Sequence, residues 1–170
     1  MGLNAVKDGM YPASLIAFAF VERGIKENKF VTQMKLQKVI YFAQGVHLAK
    51  FDEPLIQEEI QAWKFGPVVP EIYHQYKLYG NEPIRTTDWI APVFERDKDL
   101  KNLSTNAKKS IEYTWDVTKD LSAITLSNWT HRKGSPWEKF YTDMHLGIVI
   151  DNEEIRSYFK KLLFNNTENG

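Results

Sequence analysis

Between Leu36 and Phe51 the apolar residues Leu36, Val39, Ile40, Phe42, Ala43, Val46 and Ala49 recur with the period of a helix and cover about half of its circumference. A surface helix needs an apolar stripe along one side only. An arc this wide predicts a central helix over about 34–51 that the rest of the chain surrounds. Thr32 is placed to cap its start, since a threonine hydroxyl can accept from a backbone N–H that the first turn leaves unpaired. Asp52, Glu53 and Pro54 end it, because proline disfavours helical geometry in the residue before it.

The other elements arrange themselves around this one. Pro12 opens a half-buried helix with Leu15, Ile16, Ala19 and Phe20 close to one face. Ile60, Ala62 and Lys64 alternate with Gln61, Trp63 and Phe65, which predicts a small β element near 58–65, and Gly66 with Pro67 marks its turn. Pro70 then suits a first helical position, Glu71 the positive end of the helix dipole and Gly80 a stop. In that helix Ile72, Tyr76 and Tyr79 share one face, leaving Tyr73 and His74 on another.

Residues 81–103, with Pro83, Pro92 and the charged run ERDKDLK, read as an exposed connection with a short strand pairing near Trp89 to Val93. Ser104 caps a helix whose stripe is Ala107, Ile111, Thr114, Thr118 and Leu121, and Ser122 opens a short one that runs through Trp129. Gly134 and Pro136 break and restart the chain. Asp151 with Glu154 has the spacing of a capping box ahead of a last helix carrying Ile155, Tyr158, Phe159 and Leu162. The reading is therefore mainly α (α+β): a single-domain helical bundle over 12–164, with a flexible lead-in at 1–11 and a flexible tail at 165–170.

Composition narrows the function. At 170 residues the chain can bury roughly 70% of the surface that its unfolded form would expose. Lys and Arg number 22 and Asp and Glu 22, so there is no general attraction to nucleic acid or anionic lipid. Cysteine is absent, which removes disulfides, thiolate metal sites and cysteine nucleophiles and fits a cytoplasmic protein. No apolar run approaches the roughly 18 residues of a membrane span, and the start lacks the pattern of a signal peptide. Aromatic residues reach 14%, enough to leave rings available at a contact surface.

Catalytic signals are sparse. His47 lies near the middle of the central helix's apolar arc and reads as a core histidine bonded to a neighbour, because catalysis would also need an orienting group and a substrate cleft. His74, His131 and His145 lack a local metal spacing, and no nucleophile elbow, phosphate loop or dinucleotide glycine pattern occurs. Glu58 and Glu59 read as a solvated strand edge, and Arg132, Lys133, Arg156, Lys160 and Lys161 as solvating charges. No catalytic residue, metal ligand or cofactor is assigned.

Two motifs remain. In Trp63-Lys64-Phe65-Gly66-Pro67-Val68-Val69-Pro70 large rings anchor a strand, glycine permits a special conformation and prolines stiffen the entry to the next helix. In Thr130-His131, followed by Gly134-Ser135-Pro136-Trp137, a polar pair meets a proline turn and an indole. With the K-L-Q-K helix, its Tyr41-Phe42-Ala43-Gln44 and the closing Ile155-Arg156-Ser157-Tyr158-Phe159, this ordered series resembles the Panacea, or SocA-like, antitoxin domain of toxin–antitoxin and phage-associated proteins over residues 14–163. One departure is Gly45-Val46-His47, where relatives often carry an aromatic before the histidine.

The resemblance implies an antitoxin that binds and neutralises a toxin encoded beside it. It also implies, from a relative that works as an adaptor, delivery of the toxin to a AAA+ protease. On that reading the toxin-binding residues are Trp63, Tyr73, His74, Tyr76, His131 and Trp137. Gln44, His47, Gly66, Pro67, Pro70, Thr130 and Pro136 are structural. The connection at 81–103 is a rival contact surface. Two other classes stand as alternatives: a phage-associated regulator that binds nucleic acid, and a hydrolase using His47 or His131. No helix-turn-helix pattern or basic stripe supports the first.

Overall fold

The computed structural model describes residues 10–88 and 96–165. Within them the chain is mainly α with a small β element, as the sequence predicts; that element is a three-stranded antiparallel sheet. The central helix is α2 (Gln33–Phe51), capped by Thr32, whose hydroxyl accepts from the Lys35 N–H at 3.3 Å. Every residue from Lys35 to Ala49 except Phe42 is buried, so enclosure extends well past the apolar arc. Polar side chains on such a helix must find partners inside the protein.

Helix α1 (Ala13–Lys26) presents Ile16, Ala17, Phe20, Val21 and Gly24 to the core, while Leu15 and Ala19 lie half-buried at its margin. The Ala13 N–H donates to the Glu58 carboxylate at 2.7 Å, so Glu58 caps this helix from 45 residues away and is not a solvated edge. The lead-in lies outside the described residues over 1–9. Its last residue, Tyr11, is tied down: its N–H donates to the Leu55 carbonyl at 2.8 Å and its hydroxyl accepts from the Ser104 N–H at 2.9 Å.

Strand β1 (Gln61–Trp63) pairs antiparallel with β2 (Gly66–Val68) and, on its other side, with β3 (Ile148–Val149), giving the order β2-β1-β3. Trp63 faces Gly66, so the hairpin turns at Lys64–Phe65 and Gly66–Pro67 already belong to the second strand. Gly66 takes φ +118, a conformation open mainly to glycine. Helix α3 (Pro70–Tyr76) follows with Pro70 in its first turn, then a 3₁₀ turn (Lys77–Tyr79) and the stop at Gly80.

The connection at 81–103 is more ordered than expected. Ile84 is buried with its N–H on the Val31 carbonyl, and α4 (Arg96–Lys101) forms in the charged run; the strand expected near Trp89 to Val93 lies outside the described residues. Helix α5 (Thr105–Thr118) starts at the Ser104 cap and buries Ala107, Ile111, Thr114 and Thr118, but ends before Leu121, which is exposed. Helix α6 (Ala123–Thr130) is capped by Ser122 and α7 (Pro136–Phe140) by Ser135. At α8 (Asn152–Phe164) Asp151 accepts from the Glu153 N–H, while Glu154 bonds Lys139, so the expected reciprocal box is only half formed. The core joins α1, α2, α5 and α8 around Phe20, Tyr41, Trp115 and Phe159. No helix among the described residues is long and apolar enough to cross a membrane.

Candidate functional site

Four enclosed polar side chains of α2, those of Lys35, Gln37, Lys38 and Gln44, bond to main chain. The Gln37 amide makes a two-way pair with Val69, accepting from its N–H at 2.9 Å and donating to its carbonyl at 3.2 Å. Lys38 Nζ donates to the Pro67 carbonyl at 3.3 Å, and Lys35 Nζ to the Lys119 carbonyl at 2.9 Å. Gln44 Oε1 accepts from Leu55 N–H at 2.7 Å and Ile56 N–H at 3.1 Å, while its Nε2 donates to Asn152 at 3.3 Å. These bonds hold strand β2, the 55–56 loop and the ends of neighbouring helices against α2, so the K-L-Q-K and Gln44 positions build the fold.

Burial tunes two of these groups. Lys38, 3% exposed, is pushed down to about 8 by loss of solvent around its ammonium, and desolvation also lowers Lys35. His47, 1% exposed, lies with Nδ1 2.8 Å from the Ser110 hydroxyl and is pushed down to about 4, again by desolvation. A serine beside a histidine suits nucleophilic catalysis only where substrate can reach it. Here both side chains are enclosed, and the contact ties α2 to α5.

Five of the six expected contact residues do meet, on the hairpin side of the molecule. The Trp63 ring contacts Tyr73 edge to face at 5.0 Å, and Tyr73 contacts His74 at 5.5 Å. From the other motif, Trp137 Nε1 donates to the Trp63 carbonyl at 2.6 Å, across 74 residues of sequence. The His131 ring packs on Trp137 at 4.0 Å and its Nδ1 lies 2.5 Å from the Ser127 carbonyl. Thr130, buried, donates to the same carbonyl at 2.7 Å and sits 3.0 Å from where a Gly66 Cβ would be. Pro136 is buried at the start of α7 and Ser135 caps it. Tyr76 is the exception: it is 0% exposed, part of the core, and offers nothing to a partner.

The sequence reading omits two members of this face. Tyr141, the residue just past α7, stacks on Trp137 four positions before it with centroids 4.6 Å apart. Its hydroxyl donates to Asp143, which raises its pKa. Phe65, at the hairpin tip, is 67% exposed, with Lys64 Nζ 5.6 Å from its ring. Exposed rings held rigidly from beneath suit a protein-binding surface, because little side-chain entropy is lost on contact. No group of three or more His, Asp or Glu among the described residues is placed to hold a metal ion.

The family model described as Antitoxin SocA-like, Panacea domain, matches residues 36–138. The chain belongs to this family. The matched span runs from the first turn of the central helix to α7 and contains Trp63, Tyr73, His74, His131 and Trp137. Among curated proteins the chain is similar to Antitoxin SocA of Caulobacter vibrioides (strain NA1000 / CB15N), 27% identical over 143 residues, which covers 76% of this chain and 72% of that protein. No solved structure matches significantly. The Panacea family suggests an antitoxin, a role that calls for a toxin partner.

Proposed function

We propose that this chain is an antitoxin that binds a toxin encoded beside it and neutralises it by direct contact, without a reaction of its own. The observation that carries this reading is the division of labour among the motif residues. Gln37, Lys38 and Gln44 on α2 are turned inward onto main chain, whereas Trp63, Tyr73, His74, His131 and Trp137 are gathered at the surface from two distant segments. Phe65 and Tyr141 enlarge that face. The toxin's active or effector surface would be covered by it, and the interaction would take place in the cytoplasm.

Delivery of the bound toxin to a AAA+ protease is a second step compatible with the same contact. The test is co-expression with the product of the adjacent reading frame. That product alone should arrest growth, the pair should grow, and the two should co-purify without the protease. Turnover of a hydrolysable substrate by the purified chain, or failure to associate with the toxic product, would overturn the reading.

A further inference from the structure

The small sheet has two outer edges, and the chain treats them differently. On β2 the residues Gly66, Pro67 and Val68 are all buried. Pro67 faces Ala62 of β1 and brings no N–H to that edge, and its carbonyl is occupied by Lys38 Nζ at 3.3 Å. Beyond it Val69 is bonded through both N–H and C=O to Gln37. This edge is closed.

The β3 edge is open. Ile150 N–H donates to the Ile60 carbonyl at 2.8 Å, and the register places Gln61 opposite Val149 and Ala62 opposite Ile148. Hydrogen-bonded and non-bonded pairs alternate along an antiparallel ladder. Gln61 and Val149 are thus a non-bonded pair, and both main-chain groups of Val149 point away from β1; neither has a partner among the described residues. Val149 is 38% exposed, and the turn leading to it carries Met144 at 83% and Leu146 at 99%. Natural edges are blunted by shortness, lysine, proline or a bulge; Ile148–Val149 is short, but neither of its residues is charged or proline. The connection to β3 starts at Tyr141, stacked on Trp137, and β3 pairs with β1, the strand that carries Trp63, so the edge borders the aromatic face.

We propose that β3 is a strand-addition site: an extended apolar segment of the toxin pairs with the N–H and C=O of Val149 and lays a side chain across Leu146 and Met144. Main-chain donor and acceptor groups side by side on a strand edge are matched by another extended backbone. The proposal rests on the antitoxin reading and adds how the toxin is held.

The test compares Val149→Pro with Val149→Ala in the full chain, titrated with the purified product of the adjacent reading frame. Proline removes the outward N–H and leaves the bonds of Ile148 and Ile150 to β1 intact, whereas alanine keeps the donor. Val149→Pro is expected to bind about tenfold more weakly or worse, and Val149→Ala within about threefold of the parent. Amide exchange at Val149 should slow in the wild-type complex, a readout that stands even if the proline variant misfolds. Parental affinity in a folded Val149→Pro, or an unprotected Val149 amide in a formed complex, overturns strand addition and leaves the antitoxin reading in place. No binding by the wild type removes both. A free chain that already dimerises with Val149 protected would assign the edge to a second copy and overturn the proposal.

Discussion

The Phe159 ring lies against the backbone of Gly45, so that a Cβ on Gly45 would fall 2.3 Å from its Cδ2 and Cε2 atoms. This contact lets α8 close on the central helix. Phe159 also meets Tyr41 at 5.6 Å, Phe42 at 5.3 Å and Trp129 at 5.6 Å, so the ring has neighbours on several sides when displaced. Gly45→Ala should therefore destabilise the fold by about 2 kcal/mol or more, despite alanine's better helix propensity. Denaturant titration checks this; a stabilised variant would mean that α8 shifts freely.

The His47–Ser110 contact predicts a defined acid sensitivity. The folded-state pKa is depressed from the ordinary 6.5 to about 4, so between these values the unfolded chain binds the proton and the folded chain does not. Stability from this group is complete above pH 6.5 and falls as pH drops toward 4, by about 2 to 3 kcal/mol. His47→Phe should lose this portion of the pH dependence. Parallel stability curves for the two proteins across that window would place His47 in a more solvated setting.

Lys38 gives the matching effect at alkaline pH. Its folded-state pKa is lowered from 10.5 to about 8, so the unfolded chain again holds the proton more tightly. Below pH 8 both states are charged and the cost of burying the ammonium is fully present. Relative to Lys38→Met, the wild type should gain stability as pH rises from about 8 to 10.5, on the order of 2 to 3 kcal/mol. The difference between the two denaturation midpoints across that range measures it; a constant difference would refute it.

The parts of the fold that the sequence discloses are those decided within a few residues. Thr32, Ser104 and Ser122 cap their helices as read, because a cap needs only its own first turn. The central helix is legible because its apolar arc is wide. What escapes is settled by distant partners: Glu58 caps α1 from across the molecule, and β3 exists because Ile148 finds Ala62. Ile148-Val149-Ile150 is β-branched throughout, a signal too short to be read alone. In the site, Trp63 and Trp137 are visible as motif residues, but their meeting through one hydrogen bond is not.

Tyr73 and Tyr76 separate contact from construction on one helix. They lie three residues apart, yet Tyr73 is 36% exposed beside Trp63 and Tyr76 is 0% exposed in the core. Tyr76→Ala should cost about 3 to 5 kcal/mol through the cavity it leaves, and any loss of toxin rescue should follow loss of folded protein. Tyr73→Ala should change stability by under about 1 kcal/mol and still weaken binding, since the ring's free face is what a partner would cover. Measuring thermal midpoint and toxin affinity for both variants decides the matter. A Tyr73→Ala protein that is folded and binds as tightly as the parent would remove this ring from the contact.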